Sequence, residues 1–246
     1  MTATIESPHV VSRAEWLTAR KELLRQEKEL TRMGDRVSAE RRALPWVEVD
    51  KHYVFEGARG KQTLADLFAG HSQLIIYHFM FGPGAQEGCK SCSFLADHID
   101  GANLHLAHHD VTLMAVSRAP WRELQPFKRR MGWQFDWVSS FGNDFNYDYH
   151  VSPTAEEIAA GKFTYNFVEC DCSGGECPGI SVFYRDASGT IFHTYSTYAR
   201  GGDIFIGAHN YLDLTPTGRN EGPIMHWVRH HDRYDDARQP AATCCS

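Results

Sequence analysis

No run of 18 apolar residues occurs in this 246-residue chain, so a membrane-spanning helix is not expected. Met1 to Pro8 holds no basic stretch leading into an apolar segment, so the signature of an export signal is missing too. Positive charge is short: 25 Lys and Arg face 31 Asp and Glu, for a formal net charge of −6. Aromatic residues are not interleaved with basic patches, and a nucleic-acid partner is not expected. Internal repeats and low-complexity tracts are also absent. What the chain does have is seven cysteines. Without a leader, they argue for a cytoplasmic protein with reduced thiols in catalytic or metal roles rather than structural disulfides. The odd count points the same way.

Cys89 and Cys92 are the most informative of the seven. They follow a nearly unbroken apolar run, residues 74–80, bounded by Gly82-Pro83-Gly84. That is the profile of a strand buried on both faces. Ser93-Phe94-Leu95-Ala96 then reads as the opening of a helix. A strand, a tight loop and a dithiol at a helix start form the working end of a thioredoxin-like redox site. The reason is physical. Free amides and the helix dipole stabilise an anion at the first turn, which favours the thiolate of Cys89. Cys92, three residues on, shares that face and is placed to close a disulfide. The bare motif also allows half a zinc site, or two cysteines used as small apolar side chains.

Upstream, Ser12 and Glu15 form a capping box that predicts a charged helix to about Arg42, ended by Leu44-Pro45. Trp16, Leu23, Leu30 and Val37 recur every seven residues, with Leu17, Leu24 and Met33 beside them, and Gly34 interrupts the pattern. The stripe fits a dimerisation arm or a helix lying on its own domain. Residues 46–49, 53–55 and 63–68 read as short strands with a turn, and residues 111–116 as a buried strand. Residues 120–131 read as a helix with Leu124 and Phe127 in the core. Pro178-Gly179 leads into a strand at 180–184, the turn Asp186-Ala187-Ser188-Gly189 into another at 191–195, and residues 203–214 into a closing helix. From Asp232 the chain turns polar.

This order matches the thioredoxin arrangement, in which a mixed sheet lies between helices. A proline opening the third core strand is the second mark of that fold, normally cis and pressed against the dithiol. Pro178 is the candidate. The chain also resembles an uncharacterised, mainly bacterial thioredoxin-like family of predicted dithiol–disulfide oxidoreductases, domain of unknown function 899. Four blocks carry the resemblance: Cys89 to Phe94; Val116-Ser117-Arg118-Ala119-Pro120 with Phe127 to Trp133; Val138 to Asn146; and Pro178 to Phe183 running on to His193 and Gly201. It implies a CxxC oxidoreductase. In the thioredoxin fold the residue before the cis-proline lies against the dithiol, and here that residue is Cys177. Cys89, Cys92 and Cys177 are then expected to converge, with Cys170 and Cys172 close behind in a segment richer in cysteine than the family leads one to expect.

Two chemistries follow. As an enzyme, Cys89 attacks a disulfide, Cys92 resolves the mixed disulfide, Pro178 shapes the groove and Cys177 relays oxidation onward, with no cofactor required. Lys90 would assist the thiolate through its charge. A peroxide is a weaker substrate, because Gln86 stands where peroxiredoxins place a threonine. As a metal protein, Cys89, Cys92 and Cys177 bind copper or, second, zinc.

His98, His105, His108 and His109 read as a solvated helix end, His193 as a strand histidine paired with a core hydroxyl, and His226, His230 and His231 as a surface cluster. The aromatic stretch from Trp133 to Tyr149 reads mainly as core, with some members free to wall a pocket. Glu156 and Glu157 read as helix-start acids, Arg200 as an anion site or a partner of Asp203, and Cys244-Cys245 as a terminal pair. The expectation is an α/β thioredoxin-like domain at residues 46–231, with a tail and helical arm at 1–45 and a polar tail at 232–246. It acts on a small-molecule or protein thiol or disulfide, without nucleic acid or membrane, as a homodimer through the arm.

Overall fold

Ser12 does cap a helix, α1 (Arg13–Arg42). Its hydroxyl accepts the Glu15 N–H at 3.3 Å, and the Glu15 carboxylate accepts the Ser12 N–H at 2.9 Å. The computed structural model of the chain describes residues 8–172 and 174–234. Gly34 does not interrupt α1, and none of the helix's 30 residues is buried. Leu30 is 74% exposed and the heptad stripe is uncovered in the single chain. Leu44 and Pro45 end the helix as expected.

The sheet has eight strands in the order β1-β10-β9-β4-β5-β6-β2-β3. They are β1 (Val47–Glu48), β2 (Val54–Gly57), β3 (Gly60–Thr63), β4 (Gln73–His78), β5 (Val111–Ser117), β6 (Trp137–Ser139), β9 (Gly179–Arg185) and β10 (Ile191–Tyr198). Strands β4, β5 and β6 are parallel, and β9 and β10 continue the sheet antiparallel. Helices cover both faces, so this is the expected thioredoxin-like α/β architecture with an N-terminal helical arm. On one face lie α3 (Lys90–Ala96), α4 (Ile99–Leu106) and α5 (Trp121–Arg130); on the other, α2 (Leu64–Leu67) and α6 (Phe145–Asp148).

Alternation along β4 decides which side chain serves which face. Leu74 and Ile76 join the core with Met114, Phe145 and Phe183, while Tyr77 joins the core with Phe79, Cys92 and Leu95. Leu124 and Phe127 are buried on α5 as their spacing implied.

Three elements differ from expectation. Residues 63–68 form β3's last residue and α2 rather than a strand, because Thr63 and Asp66 make a capping box and Leu64, Leu67 and Phe68 then share a buried face. The single closing helix is a 3-10 turn (Ala199–Phe205) followed by α8 (Gly207–Leu212), separated at Ile206 by a backbone at φ −100°, ψ 86°. Between α6 and β9 the chain adds α7 (Ala155–Ala160) and a separate hairpin, β7 (Lys162–Tyr165) with β8 (Val168–Asp171). Glu156 and Glu157 do open α7, where Glu157 completes a capping box with Thr154. Asp232 pairs with Arg130 at 2.7 Å and Arg233 with Glu87, so the first described residues of the expected polar tail contact the domain. Cys244 and Cys245 lie outside the described residues. Among the described residues no helix is long and apolar enough to cross a membrane.

Candidate active site

The dithiol loop is fixed from three sides. The Cys89 N–H donates to Met80 O at 3.2 Å as the chain leaves β4. A Cβ on Gly88 would meet Phe79 and Phe127 at 2.7 Å, so only glycine lets the loop pass there. From the far end of the chain, His230 Nε2 sits 2.9 Å from Gly88 O, and Glu87 is gripped by Arg130 at 2.6 Å and by Arg233. His230 is thus buried against the dithiol loop and Phe127, not part of a surface cluster. Sequence spacing gives no sign of a contact between residues so far apart.

Cys89 is the N-cap of α3, and its carbonyl accepts the Ser93 N–H and hydroxyl, each at 2.9 Å. The Cys89 thiol is brought down to about 6, first by the Cys92 S–H donating to it, then by the Cys92 and Ser91 N–H groups and the Ser91 hydroxyl, all against a burial cost. Cys92 is the opposite case. It is 2% exposed, and burial, followed by its bond to Cys89, pushes its thiol well up. The Tyr77 hydroxyl and the Met80 N–H bond to the same sulfur and pull it part of the way back. Lys90 is not the leading cause of the Cys89 shift; its ammonium turns 3.5 Å from His226 O. Tyr77 and Ser91 are the contributors that sequence reading missed. The signal for Tyr77 was its parity with Phe79 on β4, which puts it on the dithiol face.

Pro178 lines the same pocket as Cys92. Its peptide bond is trans, because the described residues contain no cis peptide. This corrects the sequence expectation. The Cys177 N–H donates to Val151 O at 2.7 Å and Pro178 O accepts the Tyr165 hydroxyl at 2.7 Å, which hold the chain on either side of that bond as it enters β9.

Cys177 does not line that pocket. Its thiol is pushed up to about 11, by burial first, then by Cys170, Glu176 and Cys172. Among the described residues no group of three or more His, Cys, Asp or Glu is arranged to hold a metal ion, so the convergence of Cys89, Cys92 and Cys177 into a ligand set is not found. Cys89, Cys92, Cys170, Cys172 and Cys177 are all free thiols.

The remaining histidines divide. His105, His108 and His109 are exposed, as expected of a helix end. His98 instead joins two elements, with Nδ1 2.8 Å from Phe94 O and Nε2 accepting the Ala208 N–H at 3.1 Å. His193 pairs with the Ser196 hydroxyl at 2.7 Å, as expected, and the chain continues through Ser181 to the buried His78, each step 2.8 Å. Burial holds His78 down at about 3, so it is neutral. That row lies on the sheet face away from the dithiol. Arg200 takes its structural role, 3.0 Å from Asp203.

No curated protein matches the chain. Among solved structures, a peroxiredoxin Q from Xanthomonas campestris aligns with a TM-score of 0.40 at 15% identity, covering 63% of this chain and 88% of that one. A peroxidoxin, BcpB, from Mycobacterium tuberculosis aligns at 0.41 and 12% identity, covering 67% and 94%. A thiol:disulfide interchange protein from Bacteroides sp. aligns at 0.41 and 15% identity, covering 76% and 99%. The match of a family model over residues 5–234 is of another order, and by it the chain belongs to the bacterial protein family of unknown function DUF899.

Proposed function

We propose that this protein is a thiol–disulfide oxidoreductase with Cys89 as nucleophile and Cys92 as resolving thiol. The observation that carries this reading is the division of labour between two adjacent sulfurs. One is partly exposed and ionises near pH 6; the other is buried and stays protonated beside it. The Cys89 thiolate attacks one sulfur of a substrate disulfide, the S–S bond breaks, and the departing thiolate takes a proton from water. Cys92 then gives up its proton and attacks Cys89 Sγ. The second substrate thiol leaves, and the protein holds a Cys89–Cys92 disulfide. Two electrons have passed to the substrate, and an external dithiol returns them. As Cys92 ionises, the Tyr77 hydroxyl and the Met80 N–H stand at its sulfur to receive the charge.

The copper or zinc reading required Cys177 beside the dithiol. Cys177 does not line the pocket at Cys92, and among the described residues no group of three or more His, Cys, Asp or Glu is arranged to hold a metal ion, so nothing favours that reading over exchange.

The test is to trap the intermediate. Cys92→Ser incubated with a disulfide substrate should accumulate a mixed disulfide on Cys89, seen by intact mass, while Cys89→Ser accumulates none. A Cys92→Ser protein that stays unmodified under conditions where wild type is oxidised would overturn the proposal.

A further inference from the structure

Resting on the exchange reading, we propose that the pocket beside Cys92 receives the compact apolar arm of a small organic disulfide, and that Gly202 sets the size of arm it takes. The pocket holds about 90 Å³. Its wall is mostly apolar, built on Met80, Leu95, Ile180, Ile206 and Met225, with Cys92 and Pro178 also on it and hydroxyls at Ser91 and Thr197. A disulfide sulfur at Cys89 lies at the same helix start as Cys92, because Cys89 is the N-cap of α3 and Cys92 sits in its first turn. The substituent on that sulfur has this recess beside it.

The chemistry of the recess narrows the ligand. Asp203 is its one charged residue, and that carboxylate is engaged by Arg200 at 3.0 Å and Arg219 at 3.6 Å. A zwitterionic or peptide arm would lose its hydration there without meeting a free countercharge. An apolar arm leaves water for an apolar wall. Size follows from the volume. A dry cavity of roughly 150 Å³ takes a benzene ring, so this one suits a branched alkyl group of three or four carbons better than an aryl group.

Gly202 makes the volume what it is. It lines the pocket, and a Cβ there would stand 3.7 Å from Leu95 Cδ1 and 4.0 Å from Ile180 Cδ1, in ordinary contact with both and with nothing else in the way. Its backbone does not need glycine, since no positive φ occurs there. A side chain at 202 therefore fills the recess without disturbing the wall.

The experiment measures kcat/KM for three probes: diisopropyl disulfide, dibenzyl disulfide and bis(2-hydroxyethyl) disulfide, regenerating the protein with dithiothreitol. Wild type should favour the isopropyl probe over the hydroxyethyl probe by about tenfold or more, the discrimination available from one or two buried carbons. Gly202→Leu should lower that ratio by about tenfold. Met225→Ala, which widens the pocket, should move preference toward the benzyl probe and guards against misfolding of the first variant; thermal melts of both accompany the assay. Equal rates for all three probes in wild type, or a ratio unmoved by both variants, overturns the assignment while leaving exchange at Cys89 intact. Absence of exchange with every probe, and with a protein disulfide as control, refutes the oxidoreductase reading and the pocket with it.

Discussion

Helix α1 runs for thirty residues and buries none of them; α3 runs for seven and buries five. The long helix is held by what lies next to it in sequence: a complete capping box, and Arg25 bridging Glu22 at 2.8 Å and Glu29 at 2.6 Å. Each such pair contributes roughly 0.2–0.5 kcal/mol, and length does the rest, because nucleation is spread over many turns. The short helix could not persist alone. Phe94 is boxed in by His98, His209 and Trp227, while Leu95 and Cys92 sit in the central core. Its register is set from outside, and that places two sulfurs in hydrogen-bond contact at its first turn. Local stability and chemical precision are found in different helices, and the chemistry is in the one that depends on the rest of the fold.

The contrast can be broken by substitution. Cys89→Ser should take disulfide exchange down to the uncatalysed background, since the thiolate is the nucleophile; retention of exchange would move the chemistry elsewhere. Phe94→Ala should cost about 3–5 kcal/mol in urea unfolding, whereas Leu30→Ala on α1 should stay within about 0.5 kcal/mol. Similar losses from both would mean that α1 is packed in solution.

Alkylation sharpens the comparison further. The rate at Cys89 should rise with pH through a midpoint near 6, because the shift is downward and the thiolate forms as pH climbs through it. Cys92→Ala removes the leading hydrogen bond and should move that midpoint upward. Tyr77→Phe removes one of the bonds that lower Cys92. Each unit by which Cys92 rises slows collapse of the mixed disulfide by about three- to fourfold at fixed pH, because the tenfold loss of thiolate is partly offset by its greater nucleophilicity; single-turnover experiments read it. Ser12→Ala should cost about 1 kcal/mol and only locally, on α1, read by amide exchange, with the Cys89 midpoint unchanged.

What could be read from sequence divides along the same line. Both ends of α1 were legible because a capping box and a proline are local signals, and so were β4, β5, α5 and the β9–β10 hairpin. The dithiol's place after a buried strand was legible for the same reason. The trans bond before Pro178 was not, because Val151 and Tyr165 satisfy its neighbourhood from other elements. The burial of His230 was not, because its partner is a carbonyl beside Cys89. The cysteine-rich segment was legible only in part: Cys177 adjoins Pro178 in the chain, yet it does not line the pocket that Pro178 and Cys92 share. The aromatic stretch was legible as core, but Gly202 carried no signal of its own.

The clamp on the dithiol loop also has a history within each molecule. Gly88 and His230 are separated by 142 positions, and chains are made from the N-terminus onward, at roughly 5–20 residues per second. For several seconds of synthesis both thiols exist while the residues that will pin Glu87 and Gly88 do not. Only when the stretch around Arg233 has been made and has folded back are all the loop's partners present, so the finished reactivity of Cys89 belongs to a polypeptide made at least that far and not to a shorter one.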